Sequence, residues 1–237
     1  MTPPVQLSVV IPAYNEEERL PGTLAAIHPY LSSRGGSFEV VLADDGSGDG
    51  TPAVMRAAAG EHPYIHVVTL PRNRGKGRAI AAGVALTTGE RVLISDADLS
   101  TPIEELAKLE TALELGAGIA IASRALPGSE IEVHQPGHRV MMGKSFNLVV
   151  RALLLPGIKD TQCGFKLFRG EDARRLFGQL RTEGFAYDVE VLWRARREGR
   201  TIVEVPVRWL HSTPTRVVAG RHALDMLKDV LKLRIGL

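Results

Sequence analysis

Asp96 and Asp98 stand one residue apart at the end of an apolar run, residues 91–96 (RVLISD). If that run is a strand, alternation puts both carboxylates on one side of the extended chain, where they can converge on one cation. Hard carboxylate oxygens suit Mg2+ or Mn2+, and magnesium takes one or two carboxylates together with substrate phosphates. The same triplet also occurs in solvated surface loops, so its place at a buried strand's mouth is what favours a metal. Residues 44–50 (DDGSGDG) end another apolar run. Asp45, Ser47, Asp49 and Gly50 imitate the opening of a calcium loop, but the twelfth place is Arg56 rather than Glu, which excludes an EF-hand. A glycine-rich turn whose Asp49 or Thr51 caps the next helix accounts for the same residues. In residues 12–16 (PAYNE), Tyr14 can stack on a base and Asn15 or Glu16 can accept hydrogen bonds, although Asn15 suits a helix cap equally well. Residues 72–77 (RNRGKG) add cations and pliant backbone.

Other chemistries are excluded by spacing. The glycine-rich segment is no Walker loop, and no G-x-G-x-x-G follows the first apolar run, which weakens nucleoside triphosphatase and dinucleotide readings. The seven histidines form no H-E-x-x-H or paired-ligand pattern, so zinc is not expected. Cys163 has no second cysteine to pair with and no histidine near it in sequence; it reads as buried packing and is compatible with a reducing compartment.

Alternating elements must position these clusters. Residues 7–12, 38–44, 65–70 and 91–96 are apolar enough for buried parallel strands, and helical patterns lie near 16–33, 50–60, 75–87 and 102–116. Thr51-Pro52 and Thr101-Pro102 place proline at first helical positions. Such a sheet binds ligands at the carboxyl ends of its strands, where the aspartates fall. Further on, 118–123 reads as a strand, 126–138 as a polar loop and 139–155 as an apolar-striped helix. Strands are then expected at 163–169 and 201–210, and helices at 171–180, 187–198 and 219–235. The last is amphipathic, with Leu224, Leu227, Val230 and Leu231 on one face and Arg221, Lys228, Lys232 and Arg234 around them.

The chain has 237 residues, 44% hydrophobic and 24% charged, enough for one sizeable core. Its net charge of +2 hides an acidic first half and a basic second half. An acidic half can hold a cation and a basic half can meet phosphate or an anionic membrane, although ordinary solvated surface would give the same count. No signal peptide is read at the start, and the longest apolar stretch, 146–158, is broken by Asn147, Arg151 and Pro156 and is shorter than the ~20 residues of a membrane span. A soluble or peripheral protein is expected.

Four segments in order, 8–16 (SVVIPAYNE), 43–47 (ADDGS), 73–77 (NRGKG) and 95–99 (SDADL), resemble the successive signatures of family 2 glycosyltransferases. Segments 122–124 (ASR), 159–168 (KDTQCGFKLF), 185–190 (FAYDVE) and 203–207 (VEVPV) narrow the resemblance to dolichyl-phosphate glucosyltransferases, with dolichyl-phosphate mannose synthases next. The resemblance covers roughly residues 7–232. It implies the GT-A fold: an α/β, Rossmann-like, mostly parallel central sheet flanked by helices in a single domain, 1–237. Residues 1–118 would bind the nucleotide sugar and residues 119–237 the acceptor. It further implies a cytoplasmic enzyme, peripheral on the membrane face, that moves glucose from UDP-glucose or mannose from GDP-mannose to a polyprenyl phosphate with inversion. Nucleic acid is not an expected partner, and the oligomeric state is left open. The chain shows no transmembrane anchor of the kind usual in that group, and Ser100 stands where mannose synthases usually carry Gln.

By the same resemblance Pro12, Tyr14, Glu16, Asp44, Asp45 and Lys76 line the nucleotide. Asp96, Ala97 and Asp98 bracket ribose, metal and diphosphate, and Ser100 is the candidate third ligand. Asp188 and Glu190 resemble an acidic pair that supplies a base toward hydroxyl acceptors; a solvated pair, or one matched to Arg194, is the alternative. A phosphate monoester with a second pKa near ~6 has little need of a base, so Asp188 is expected to orient acceptor or sugar. Arg124, Arg139, Arg208 and Arg216 are candidates for gripping phosphate through forked donors, Arg124 and Arg216 first. Gln162, Cys163 and Phe165 are expected to line the sugar pocket. The rival readings are a family member with a hydroxyl acceptor and a non-catalytic nucleotide-sugar-binding module.

Overall fold

The computed structural model describes the backbone of residues 4–132, 137–210 and 219–235, and their side chains except those of 137–142, 144 and 219–224. Strands β1 (Leu7–Ala13), β2 (Phe38–Asp44), β3 (Ile65–Thr69) and β4 (Arg91–Ile94) alternate with helices α1 (Leu20–Ser33), α2 (Thr51–Glu61) and α3 (Lys76–Ala85). A 3-10 turn at Ile103–Glu105 leads into α4 (Leu106–Glu114), followed by β5 (Ile119–Ser123) and a two-residue β6 (Glu130–Ile131). The rest comprises α5 (Gly137–Leu153), β7 (Lys166–Arg169), α6 (Gly170–Gly178), α7 (Tyr187–Arg197), β8 (Ile202–Pro206), β9 (Arg208–Trp209) and α8 (Ala219–Ile235).

Seven strands form one sheet in the order β3-β2-β1-β4-β7-β5-β8. All its pairings are parallel except the two made by β7. The order turns back between β1 and β4, which opens a crevice at their carboxyl ends. Side-chain alternation along β1 divides the core. Leu7, Val9, Ile11 and Ala13 join the side covered by α1, α2 and α4, while Val10 joins Val41, Val92 and Ile94 under Ile80 and Val84 of α3. Both faces being covered explains why these strands read as predominantly apolar runs.

Several expectations are corrected. β4 stops at Ile94, so Asp96 and Asp98 lie beyond it. The expected strand 163–169 shrinks to Lys166–Arg169, and 201–210 splits into β8 and β9. The polar loop 126–138 contains β6, which pairs with β9. On α8, Val230 and Leu233 are buried whereas Leu231 is 48% exposed, so Leu233 rather than Leu231 faces the core. Among the described residues no helix is long and apolar enough to cross a membrane.

Candidate active site

The carboxyl ends of β1 and β2 are stapled together by Asn15. Its φ of 55° places it in the left-handed region that Asn tolerates. From there its N–H donates to Ser47 Oγ at 2.9 Å and its Oδ1 accepts the Gly48 N–H at 2.9 Å. Glu16 N–H donates to Thr51 Oγ1 at 2.7 Å. Asn15 therefore joins two loops and does not cap α1, whose N-cap is Arg19. Pro12 lies within buried β1 opposite Ala43, and Tyr14 stands 40% exposed just beyond the strand.

The two neighbouring aspartates are held differently. Asp44 is fully buried; its Oδ1 accepts the Ser47 N–H at 3.0 Å, and its buried Oδ2 has no hydrogen-bond partner among the described residues. Asp45 accepts the N–H groups of Arg74 and Gly75, one on each oxygen, at 2.8 Å. Burial pushes the Asp45 carboxyl upward against these two bonds. Its visible task is to hold the glycine-rich loop, and Gly46, at φ 68°, leaves room for the Arg72 backbone where a side chain would collide.

That loop delivers Lys76 to the first position of α3, where Nζ donates to Asp96 Oδ1 at 2.5 Å. Burial draws the Lys76 pKa down, but the charges of Asp96, Asp188 and Asp98 outweigh it and leave it above the usual lysine value. Lys76 remains an ammonium.

A turn, and not strand alternation, sets the two carboxylates of the D-x-D segment. Ser95 N–H extends the ladder to the Val10 carbonyl at 3.0 Å, and then Leu99 N–H closes on the Asp96 carbonyl at 3.2 Å. Leu99 adopts φ 46°, uncommon for a branched side chain. Asp98 Oδ1 accepts the Ser100 N–H at 2.9 Å, and the Ala97 carbonyl accepts the Thr23 hydroxyl from α1 at 2.5 Å. Gly164 lies against the Asp96 carboxylate so closely that any Cβ there would collide with it. Ser100 engages this turn through its backbone, its carbonyl accepting the Leu210 N–H at 2.6 Å.

Among the described residues no cluster of three or more His, Cys, Asp or Glu could hold a metal alone. Two hard carboxylates nonetheless fit Mg2+ or Mn2+, which complete their shells with substrate phosphates and water.

The opposite side of the crevice is built by α7 and the segment before β7. Asp188, in the first turn of α7, is 4% exposed and accepts Lys166 Nζ at 2.6 Å. Burial raises the Asp188 pKa, opposed by the charges of Lys166 and Lys76. Glu190 is neither solvated nor turned to the site. It accepts the N–H groups of Arg181 and Thr182 and the guanidinium of Arg194, the pairing open in the sequence. Arg124 is matched inside the protein: Nε and Nη2 donate to Asp160 at 2.7 and 2.9 Å, with the guanidinium over Trp209. This Coulombic pairing overcomes burial and raises the Arg124 pKa. Of the residues expected at the sugar, Cys163 and Phe165 pack in the apolar core, while Gln162 reaches Met226 of α8. Arg208 approaches Glu132 at 3.8 Å. Arg216 and the Arg139 side chain lie outside the described residues.

Lys166, Asp160, Gly164 and Thr23 were given no role in the sequence reading. A signal existed for Lys166: a lone charge inside the apolar run 165–168 (FKLF) demands a buried partner.

Comparison with known proteins extends this geometry. The family model described as glycosyl transferase family 2 matches residues 8–177. The human dolichyl-phosphate beta-glucosyltransferase is 37% identical over 99% of this chain and 76% of its own length. The Saccharomyces cerevisiae protein of the same description is 31% identical over 97% of this chain and 74% of its own. The fold resembles Mycobacterium tuberculosis glucosyl-3-phosphoglycerate synthase in complex with Mn2+, UDP-glucose and phosphoglyceric acid. That likeness has a TM-score of 0.74 and 22% identity, covering 98% of this chain and 80% of the other.

Proposed function

From the membership of this chain in glycosyl transferase family 2, to which it belongs, we propose that it transfers glucose from UDP-glucose to a polyprenyl phosphate, inverting the anomeric carbon. The observation that carries the choice of donor is the buried Asp44 Oδ2 at the carboxyl edge of the sheet, which has no hydrogen-bond partner among the described residues. A buried carboxylate oxygen calls for a donor. Asp44 Oδ1 already accepts from Ser47 and each Asp45 oxygen from the glycine-rich loop, so Asp44 Oδ2 is the one oxygen of the pair without a donor among the described residues. Uracil presents the single N3–H that this acceptor needs, whereas guanine presents N1–H and N2–H together and calls for two.

In the transfer, a phosphate oxygen of the acceptor forms the new bond to C1 as the bond from C1 to the diphosphate oxygen breaks, and UDP leaves with the electron pair. Asp96 and Asp98 would hold Mg2+ or Mn2+, and the ion, when bound, supplies positive charge to the departing diphosphate. Lys76 adds a permanent ammonium beside Asp96. Tyr14 is exposed enough to cover the base. The acceptor phosphate is largely dianionic at neutral pH and needs no strong base. Asp188, held by Lys166, orients the acceptor, which favours phosphate over a hydroxyl that would have to be deprotonated.

Thermal-shift titration and UDP-release assays with UDP-glucose and GDP-mannose test the reading. UDP should stabilise the protein more than GDP, and Asp44→Ala should weaken UDP about ten- to a hundredfold, the range of a hydrogen bond to a charged group. Preference for GDP, or an unchanged Asp44→Ala, would remove the argument.

The acceptor implies contact with a bilayer surface, facing the cytoplasm on this reading. Helices α5 and α8 pack together. Between them they expose Leu148, Leu231 and Ile235 beside Arg151, Lys228, Lys232 and Arg234. Apolar side chains among cations suit peripheral docking on anionic lipid. Co-flotation with anionic liposomes, lost in high salt, is expected; no flotation at low salt counts against the idea.

A further inference from the structure

Lys166 opens β7, the antiparallel strand between β4 and β5, and its side chain is 2% exposed. An ammonium so enclosed costs several kcal/mol unless it is fully paired. Its Nζ donates to Asp188 Oδ1 at 2.6 Å and to the Cys163 carbonyl at 2.5 Å. The two acceptors come from different parts of the chain. Asp188 belongs to the first turn of α7, and Cys163 precedes Gly164, which lies against the Asp96 carboxylate. The carbonyl fixes the ammonium in space, and the ammonium fixes the carboxylate.

We propose that Lys166 is a positioning residue for the transfer step: it acts through Asp188, aiming that carboxylate into the crevice, and does not itself touch substrate. The inference rests on Asp188 facing the acceptor, as in the function proposed above. Burial separates Lys166 from Lys76, whose side chain is 23% exposed beside Asp96 and is the ammonium a diphosphate can meet. Stability alone accounts poorly for the pair, because buried ion pairs can often be replaced by apolar residues without loss, whereas removing one partner is strongly destabilising.

Four proteins decide the matter: wild type, Lys166→Met, Asp188→Asn and the double variant. For each, kcat is expressed per UDP-binding site, so that a partly unfolded sample does not mimic a slow one, and KM for UDP-glucose is measured alongside. Each single change should lower kcat by a similar factor, roughly 10–100-fold as for partners that orient a functional group, with little change in KM. The double variant should be no slower than the slower single variant, and its melting temperature should exceed that of Lys166→Met. Losses that multiply in the double variant would show that Lys166 acts independently and overturn the proposal, as would a Lys166→Met protein with wild-type kcat. If Lys166→Met does not fold, the double variant is compared with Asp188→Asn alone: equal kcat supports the proposal and a further fall overturns it. Wild-type kcat in Asp188→Asn also overturns it, by removing the group Lys166 is said to aim. A wild-type protein that binds UDP but transfers no glucose to polyprenyl phosphate overturns the function reading instead.

Discussion

Asp98→Ala is expected to lower kcat/KM by about 10³-fold or more while leaving the fold intact. A metal contributes several kcal/mol to a departing diphosphate, and each ~1.4 kcal/mol is a factor of ten. The cost to stability is small for an identifiable reason. The Asp98 carboxylate accepts a bond from the Ser100 N–H, in a turn beyond the end of β4, and the residue is only half-buried. Losing such a bond costs about 1 kcal/mol, a shift of roughly 2–4 °C in Tm for a chain of this size. Asp96 is a poorer first test, because its removal also strands Lys76 and opens space beside Gly164. Turnover with a manganese titration, beside a melting curve, separates the two effects. A fully active Asp98→Ala enzyme would mean that no metal between these carboxylates serves the reaction.

The alternation of strands and helices was legible because strands covered on both faces must be largely apolar, and β1, β2 and β4 are, with Ser8 and Glu39 hydrogen-bonded to each other inside. The antiparallel run of β7 was not, since a strand's direction depends on which neighbours it meets and Lys166–Arg169 carries no mark of that. The same locality explains the site. Asp44 with Asp45, and Asp96 with Asp98, stand out because each pair is close in sequence, yet the turn that orients the second pair needs Thr23 from α1 and Leu99 in a left-handed conformation. Arg124 looked available to phosphate because its partner, Asp160, lies 36 residues away. Cys163 and Phe165 are buried in the core, while Gly164 between them lies against the Asp96 carboxylate, an alternation that one sequence does not reveal. Charge content alone could not separate a cation aimed at substrate from one already matched inside the protein.

Glu190→Ala should destabilise the protein by about 3–5 kcal/mol, the range for breaking a buried ion pair by removing one partner, or on the order of 10 °C in Tm. Glu190 is fully buried, and its carboxylate accepts the N–H groups of Arg181 and Thr182 and the Arg194 guanidinium at 2.7–3.2 Å. Alanine would leave two backbone donors and a cation without their acceptor. The damage should reach the site, because the segment Glu190 fastens carries the carbonyls of Thr182 and Glu183. These pack against Gly77 and Gly75, and Glu183 also accepts the Arg78 N–H at 3.1 Å. A loosened 181–184 segment therefore releases the loop that presents Lys76, and KM for UDP-glucose should rise even where the variant is folded. The pH dependence has a definite sign. Burial alone would raise the Glu190 pKa, but the bonds from Thr182, Arg181 and Arg194 prevail and hold it below the ordinary value. A depressed carboxyl pKa contributes stability that is fully present above the unfolded value, about 4.3, and is lost as pH falls through the folded one. The gap between wild type and Glu190→Gln, in chemical denaturation from pH 7 to pH 3, should therefore be widest at neutral pH and close at the acid end. A gap that stayed constant across that range would show that the carboxylate's charge contributes nothing and that its hydrogen bonds alone hold the segment.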